Sequence, residues 1–255
     1  MSITLDYTDF ELIYQDLTSL MLEAYKIDTG HWQALTDVPQ TKTLELLNTT
    51  IVTPIPPTAG YWAEQVKPNL PWAESHFQER VGGEPLNPGE QYKNWPWYQG
   101  NVETHKQTGQ FSHTYMERFW SRDRVGIHHR YGDLTDVVDL IRRHPTTRQA
   151  YLPVFFPEDT GAHHNARIPC TLGYHFILRQ DELHVVYFIR SCDMYRYLRD
   201  DVYMAGRLCQ WILEQLRRGD PDWGAVVPGL LTMHITSLHI FEAELARLKR
   251  EAAVE

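Results

Sequence analysis

The spacing of apolar residues along the chain predicts five helices. In residues 9–25, apolar side chains recur every three to four positions, which is typical of a helix with one buried face. Residues 133–144 show the same spacing, begin at an acidic residue that can cap a helix and end in basic residues that suit a helix C-terminus. The other helices are predicted at 71–81, where Pro71 occupies the first turn, at 200–218 and at 242–252.

Runs rich in β-branched and aromatic residues predict the strands of a sheet. They lie at 149–156, 168–179, 182–190 and 229–241, and in the TIVTPI segment at 50–55, after which Pro-Pro-Thr-Ala-Gly predicts a loop. A short Arg-Gln-Asp-Glu turn joins the second and third of these strands. Because helices and strands do not alternate strictly, we expect an α+β fold with a mixed or largely antiparallel sheet flanked by helices.

The segment between the helix at 71–81 and Gly100 has no clear periodicity. Gly82 and Gly83 end the helix, and the residues that follow are rich in proline and glycine. This is long for a structureless loop in a compact domain, so we expect the segment to be functional or an insertion.

Composition narrows the class of protein. The chain has 255 residues, 42% of them hydrophobic, and a formal net charge of −9. The length and apolar content suit a single domain over residues 1–255 with a sizeable core. The acidic balance argues against binding to duplex nucleic acid, which needs a basic surface. The absence of a long apolar run and of a basic leader predicts a protein without a membrane span, located in the cytoplasm.

The residue types that could do chemistry are few. The three cysteines include no CxxC pair, which argues against a disulfide scaffold. The histidine pairs at 128–129 and 163–164 lack metal-ligand spacing, so no metal is predicted. Cys170 differs from the other thiols because it begins an apolar strand shortly after Arg167, and a nearby cation favours the reactive thiolate. Arg148 and Arg190 are candidates for a phosphate clamp, although salt bridges would also explain them.

The order of four segments is more specific than any single residue. HPTTRQAYLPV is followed by IPCTLGYHF, then by VVYFIRSCDMYRYLRDDVYMAGRL and by ITSLHIF. In this order they resemble the thymidylate synthase superfamily, and most of all its deoxycytidylate (dCMP) 5-hydroxymethylases. The resemblance is clear over residues 133–243, weak over 70–120 and absent over 1–60. It implies a homodimer formed through the sheet and one-carbon transfer from 5,10-methylenetetrahydrofolate to a pyrimidine nucleoside monophosphate.

The resemblance also implies roles for individual residues. Cys170 matches the nucleophile that adds to pyrimidine C6 and so makes C5 able to attack a one-carbon unit. The matching substrate-binding residues are Arg190 and Ser191 for the phosphate, Arg148 for the phosphate of the partner subunit's site, Asp193 beside the base and folate, and His239 for the sugar. This chain departs from the family pattern at Gln149, at Phe241 and in lacking an N-terminal arginine, since its first arginine is Arg80.

Further residues are carried over from the helix at 71–81 and the segment after it. Glu74 matches the glutamate that manages protons around the base, a task that requires a raised pKa. Glu79 is a competing assignment. Trp95, Trp97 and Tyr115 match aromatic residues that contact the folate and the intermediate, although ordinary core packing would also explain them.

Asp201 predicts which base is bound. At this position, eleven residues after Arg190, thymidylate synthases have an asparagine whose amide pairs with O4 and N3–H of uracil. Cytosine presents an amino group and an unprotonated N3, and a carboxyl group can accept from the first and share a proton with the second. Asp200 precedes Asp201, so a shift of one residue would still place an aspartate here.

The fate of the one-carbon unit separates the remaining alternatives. Only 16 residues follow His239, ending in KREAAVE, whereas the resemblance implies that reduction needs a longer apolar tail that closes over the site. We therefore expect hydration, and a dCMP 5-hydroxymethyltransferase of the kind that serves phage DNA modification. The alternatives are a methyltransferase acting on dCMP or dUMP, a hydroxymethylase acting on CMP, and a nucleotide-binding homologue without catalysis.

Overall fold

The strands of the computed structural model form one mixed sheet. The described residues are 2–29, 42–97, 109–120, 133–160 and 168–252. The strands among them are β1 (Ile3–Asp6), β2 (Tyr25–Asp28), β3 (Lys42–Pro54), β4 (Tyr151–Pro153), β5 (Thr171–Arg179), β6 (Glu182–Asp193) and β7 (Val227–Phe241). Their order is β1–β3–β7–β6–β5–β4, with β2 also paired to β3. Since β1–β3 and β6–β7 are parallel and the other pairs antiparallel, the predicted α+β fold with a mixed sheet is confirmed.

Helices pack against this sheet. They are α1 (Phe10–Leu22), α2 (Ala59–Val66), α3 (Trp72–Arg80), α4 (Tyr115–Phe119), α5 (Leu134–Arg143), α6 (Leu198–Arg217) and α7 (Leu245–Ala252). The longest, α6, is the centre of the helical layer and contacts β6, β7 and four other helical segments. Its residues 201–210 are all buried. The apolar core of the described residues forms one continuous cluster.

Most predicted elements are present with shifted ends. The side chain of Asp9 accepts a hydrogen bond from the backbone N–H of Glu11 and so begins α1. Asp133 caps α5 in a reciprocal pair with Asp136. The turn between β5 and β6 places Gln180 and Asp181 at positive φ, which suits a tight two-residue hairpin.

Three predictions differ most from the structure in length. The predicted strand at 50–55 is the end of β3, which begins at Lys42. The predicted strand at 149–156 is hydrogen-bonded as a strand only over Tyr151–Pro153, because Pro153 lacks an N–H donor and the chain then turns into a 3₁₀ segment at Pro157–Asp159. The predicted helix at 242–252 begins as a 3₁₀ turn at Glu242–Glu244 and continues as α7.

The sequence interpretation missed β1, β2, α2 and α4. Helix α2 begins where the side chain of Thr58 accepts a hydrogen bond from the backbone N–H of Tyr61. It inserts Trp62, which has no exposed surface, against α6, where the indole donates to the carbonyl of Tyr203 at 3.0 Å. A Cβ at Gly206 would overlap the Trp62 indole, so this contact requires a glycine in α6.

The ends of β6 and β7 position the candidate site. Asp193, the last residue of β6, lies opposite His239 in the parallel ladder. On the other side of β7, His239 lies opposite Glu45 of β3. After Asp193 the chain makes a short turn and enters α6, so that residues from the first turn of that helix lie near the same strand ends.

Candidate active site

Cys170 lies immediately before β5 and is held there by Arg190 of the neighbouring strand. The backbone N–H of Arg190 donates to the Cys170 carbonyl at 2.9 Å. Its guanidinium donates to the carbonyls of Pro169 and Ile168 at 2.9 and 3.1 Å, and one Nη lies 3.9 Å from the Cys170 sulfur. The thiol is partly buried beside a fixed cation, an arrangement that stabilises a thiolate.

The two adjacent aspartates of α6 have different surroundings. The carboxylate of Asp200 is fully buried and accepts from the backbone N–H and the side-chain amide of Asn69, both at 2.8 Å. Asp201 instead has one carboxylate oxygen 3.7 Å from the sulfur of Cys192 on β6. Of the two, it is therefore Asp201 whose carboxyl group faces the strands that carry Cys170 and Arg190.

Burial raises the pKa of Asp201 to about 7. The positive charge of Arg80 lowers this pKa, whereas the charge of Asp200 raises it further. A carboxyl group with a pKa near neutrality can hold or release a proton at physiological pH, which is the property that general acid–base chemistry needs.

A line of hydroxyl groups runs from α4 to β6 past the start of β5. The hydroxyl of Tyr115 lies 3.0 Å from that of Thr171, which in turn lies 2.8 Å from the hydroxyl of Tyr187. The guanidinium of Arg80, at the end of α3, stacks 4.0 Å from the centre of the Tyr115 ring. Since Thr171 follows Cys170, these residues form one wall of the space near the thiol.

Asp193 and two residues that the sequence interpretation missed form a buried polar cluster. One oxygen of Asp193 accepts from the backbone N–H groups of Tyr195 and Arg196 at 3.0 and 3.1 Å. The guanidinium of Arg196 donates to Glu244 at 2.6 Å. The other oxygen of Asp193, and one of Glu244, have no hydrogen-bond partner among the described residues. Burial and the charge of Glu244 raise the pKa of Asp193 to about 7.

The aromatic residues lie beside this cluster. Trp97 contacts Tyr195 edge-on, and the guanidinium of Arg196 lies 5.5 Å from the centre of its ring. Trp95 stacks on Tyr197 with ring centres 4.6 Å apart. Trp97 also lines an open cavity of about 180 Å³ together with Tyr14, Lys67, Asn69, Tyr195, Arg196 and Arg199. The indole N–H groups of Trp95 and Trp97 are buried without a hydrogen-bond partner in the described part of the chain.

The remaining residues carried over from the resemblance lie at the sheet. Ser191 follows Arg190 on β6 and is partly buried. His239 is largely buried, which lowers its pKa and favours the neutral imidazole. Its ring meets that of Phe241 edge-on. Arg148 is exposed, and its carbonyl lies 3.1 Å from the His175 ring nitrogen. Arg148 therefore does not join the other residues within this chain.

Glu74 lies on a different face of α3. It forms an ion pair with Arg207 at 2.9 Å and accepts from Tyr203 at 2.8 Å. Burial acts to raise the pKa of Glu74, but hydrogen bonds from Arg207, Gln78 and Tyr203 outweigh it, and the pKa is lowered. Residues six apart are rotated by about 120° around a helix, so Glu74 and Arg80 point in different directions.

Glu79, the competing assignment, is also committed to structural contacts. It accepts from the backbone N–H of Glu90 at 2.5 Å and lies 3.5 Å from the His76 ring. Its pKa is lowered, because hydrogen bonds from His76 and from the backbone outweigh the effect of burial. The residue of α3 that does reach the wall near Cys170 is Arg80. In the sequence, Arg80 was marked only by its place near the end of the predicted helix at 71–81.

Two observations concern metals and membranes. Among the described residues, no group of three or more His, Cys, Asp and Glu side chains could hold a metal ion. In the same ranges, no helix is both long and apolar enough to cross a membrane. The histidine pairs at 128–129 and 163–164, and Arg167, lie outside the described residues.

Comparison with known proteins gives one match. The family model described as thymidylate synthase matches residues 88–253, which is well over half of the chain. The matched range includes the thiol, the arginines of the strands, both aspartates at pKa about 7 and His239, but it does not include α3. A search of curated proteins found no match.

Proposed function

The chain belongs to the thymidylate synthase family, and from this premise we propose that it is a dCMP 5-hydroxymethyltransferase. The family implies a one-carbon transferase that acts on a pyrimidine and uses methylenetetrahydrofolate as donor. The observation that carries the finer proposal is the position of Asp201, a largely buried carboxyl group with a pKa of about 7, on the helix that faces Cys170 and Arg190.

Asp201 supports cytosine as the base. In its protonated form, the carboxyl group donates its O–H to N3 and accepts from the 4-amino group. Uracil already carries a proton on N3 and develops negative charge on O4 during reaction, which an ionised carboxylate would repel. The contact between Asp200 and Asn69 supports this alignment over the alternative in which Asp200 faces the base.

Cys170 supplies the nucleophile in the proposed reaction. Its thiolate forms a bond to C6, and the electron pair of the C5–C6 double bond becomes available at C5 for attack on the one-carbon unit. Two N–H groups along one edge of the Arg190 guanidinium donate to the carbonyls of Pro169 and Ile168. These hydrogen bonds hold the neighbouring Cys170 in place. The remaining N–H donors of Arg190, with the hydroxyl of Ser191, are suited to bind the phosphate.

The proposed folate site lies at Trp97 and Asp193. A buried indole N–H and a buried carboxylate oxygen there have no hydrogen-bond partner among the described residues, and a ligand rich in ring nitrogens can satisfy both. The bound folate would supply the one-carbon unit. The residues of this chain orient it: Trp97 offers a ring face, and Asp193 offers an acceptor that can also carry a proton.

Hydration rather than reduction is supported by the polarity of this region. Asp193, Arg196 and Glu244 form a buried polar cluster with two unsatisfied carboxylate oxygens. Such a cluster holds ordered water, and water is the reactant that turns the C5 methylene into a hydroxymethyl group. Methylation of dCMP or dUMP is the second candidate, because the family comparison does not distinguish the two outcomes.

A homodimer is part of the proposal. Arg148 is exposed three residues before β4. Its described contact is made by the backbone carbonyl, with His175, and not by the guanidinium. Its guanidinium is therefore free to reach the phosphate bound by a partner subunit. The edge of the sheet nearby exposes Tyr151, an apolar side chain suited to an interface between two copies.

The mass of the product tests the proposed function. Purified protein with methylenetetrahydrofolate is offered dCMP, CMP and dUMP separately, and tritium release from C5 is followed. We expect release from dCMP and a product about 30 mass units heavier, the mass of CH₂O. A gain of about 14 units would show methylation and contradict hydration.

The thiols provide matched variants. Cys170→Ala should abolish tritium release, because no adduct at C6 can form. Cys209→Ala removes a fully buried thiol in α6 that contacts the backbone of Leu183 and Gly229, and it should retain turnover. Turnover that survives in Cys170→Ala would remove Cys170 as the nucleophile.

A further inference from the structure

Arg80 is a buried cation, only 5% exposed. Its Nε has no hydrogen-bond partner in the described part of the chain. Among the described residues, no carboxylate lies within ion-pairing distance of its guanidinium. By contrast, both Nη groups of the buried Arg118 donate to Asp159, at 3.0 and 2.8 Å, although its Nε also has no hydrogen-bond partner among the described residues. An unpaired buried charge is costly, so a structure that retains one calls for a functional explanation.

The guanidinium of Arg80 faces the proposed reaction centre. It lies 4.0 Å from the centre of the Tyr115 ring, whose hydroxyl contacts Thr171, the neighbour of Cys170. Helix α3 also packs against α6, which carries Asp201. The positive charge of Arg80 acts on Asp201 and lowers its pKa, but the two side chains do not form an ion pair among the described contacts.

We propose that Arg80 is a positioning residue for Asp201, and that its guanidinium is the counter-charge of the carboxylate formed when Asp201 gives its proton to N3 of the pyrimidine. This inference rests on the proposed function. In this proposal Asp201 of α6 transfers the proton at the base, and Arg80 of α3 stabilises the carboxylate that remains. The sequence interpretation did not connect these two residues.

The step balances as follows in cytosine. The thiolate of Cys170 forms the S–C6 bond, the C5–C6 π pair moves to C4–C5, and the C4–N3 π pair moves to N3. N3 takes the proton from the O–H of Asp201, which becomes a carboxylate facing Arg80. When C5 bonds to the one-carbon unit, the electron pairs return and N3–H gives the proton back to Asp201.

The other charged or titratable groups near Asp201 do not supply this charge. They are Asp200 on the same helix, Cys192 and Tyr187 on β6, Tyr174 on β5 and Tyr115 on α4. Burial raises the pKa of each of the three tyrosines and of Cys192, so all four are neutral at physiological pH. Asp200 has the same sign of charge as Asp201. Arg80 is the cation that acts on Asp201 in the described part of the chain.

A direct titration tests the coupling without relying on turnover. Carbon-13 NMR of protein labelled at the aspartate carboxyl carbon follows each carboxyl group against pH, and the signal lost in Asp201→Asn assigns Asp201. Loss of the Arg80 charge in Arg80→Met should raise the midpoint of Asp201 by about one pH unit or more. Arg80→Lys should return the Asp201 midpoint most of the way to its wild-type value. Arg143→Met, which removes an exposed cation that pairs with Asp139, should not move this midpoint.

Kinetics then test the role in the reaction. In Arg80→Met we expect kcat with dCMP to fall about 10- to 100-fold with a smaller change in KM. The alkaline limb of the kcat/KM profile should move to higher pH, because Asp201 keeps its proton longer, and Arg80→Lys should recover both effects.

Two results would overturn the inference. One is a folded Arg80→Met protein in which the Asp201 midpoint stays at the wild-type value. The other is a raised KM with unchanged kcat, which would make Arg80 a substrate-binding residue only. Inactivity of the wild-type protein on dCMP would instead contradict the proposed function, and the NMR titration would still decide whether Arg80 sets the charge of Asp201.

Discussion

Replacing Asp201 by asparagine should reverse the choice of pyrimidine. An asparagine amide can hydrogen-bond to either base, but it cannot give a proton to N3. With dCMP the addition of the thiol requires that proton. With dUMP the N3 already carries one, and the developing charge appears on O4, where an amide N–H is a better neighbour than a carboxylate. The substitution therefore acts on the reaction step more than on binding.

The size of the change follows from the burial of Asp201. Loss of a positioned general acid lowers the rate by about 10²- to 10⁴-fold, so kcat/KM for dCMP should fall by that amount. In a site where the carboxyl group is only 9% exposed, replacing a repulsive contact by a hydrogen bond is worth about 1–3 kcal/mol. At about 1.4 kcal/mol for each factor of ten, the reaction with dUMP should improve roughly 5- to 140-fold.

Tritium release from C5 measures kcat/KM for dCMP and for dUMP in one assay, and so gives the dCMP/dUMP ratio. Asp200→Asn is the matched control, because it makes the same chemical change one residue away. It should weaken the contact with Asn69 and lower stability by about 1–3 kcal/mol. Loss of the Asp200 charge should also lower the pKa of Asp201, so the dCMP/dUMP ratio should change, but far less than in Asp201→Asn. If Asp200→Asn changes the ratio and Asp201→Asn does not, the assignment of the base-facing residue is wrong.

Two further predictions concern stability. Glu74→Gln should lower the free energy of unfolding at pH 7 by about 1–2 kcal/mol, a value reduced for partial exposure, and should affect kcat little. Since the pKa of Glu74 is lowered from 4.5, its contribution is present above pH 4.5 and lost as pH falls through the lowered value, so the difference in urea unfolding should disappear in acid. A large loss of kcat would restore Glu74 as the proton manager. Arg118→Met should cost about 3–5 kcal/mol in urea unfolding, because it leaves the buried Asp159 unpaired, and a cost below 1 kcal/mol would contradict that reasoning.

The patterned segments of the chain were predictable from their sequence. Periodic apolar residues predict α1 and α5, and the side chain of Asp133 forms the capping hydrogen bonds that its position predicts. Short elements were missed because little of their stability is local. Helix α2 has eight residues and depends on Trp62 packing against Gly206, a contact across 144 positions of sequence that no local pattern reveals.

The candidate site was predictable only in part. The order of segments identified the family, and the structure brings Cys170, Arg190 and Asp201 to one region. The face of α3 could not be read from spacing, because that helix lacks a clear apolar stripe and tertiary contacts decide which side faces the site. Glu74 pairs with Arg207, while Arg80 stacks on Tyr115, and the sequence assigned no role to Arg80.

The pairing of Asp193 with His239 has a consequence for changes in chain length. Two functional candidates are set opposite each other by the backbone ladder between β6 and β7, without any contact between their side chains. A deletion of one residue inside β7 would move His239 to the other face of the sheet, since side chains alternate along a strand. Substitutions along these strands can be absorbed by repacking, whereas a change in length requires a bulge, such as the register shift between Leu183 and Val185 far from Asp193. Variation in length is better tolerated in the connections outside the ladder, such as the turn at Gly219 between α6 and β7.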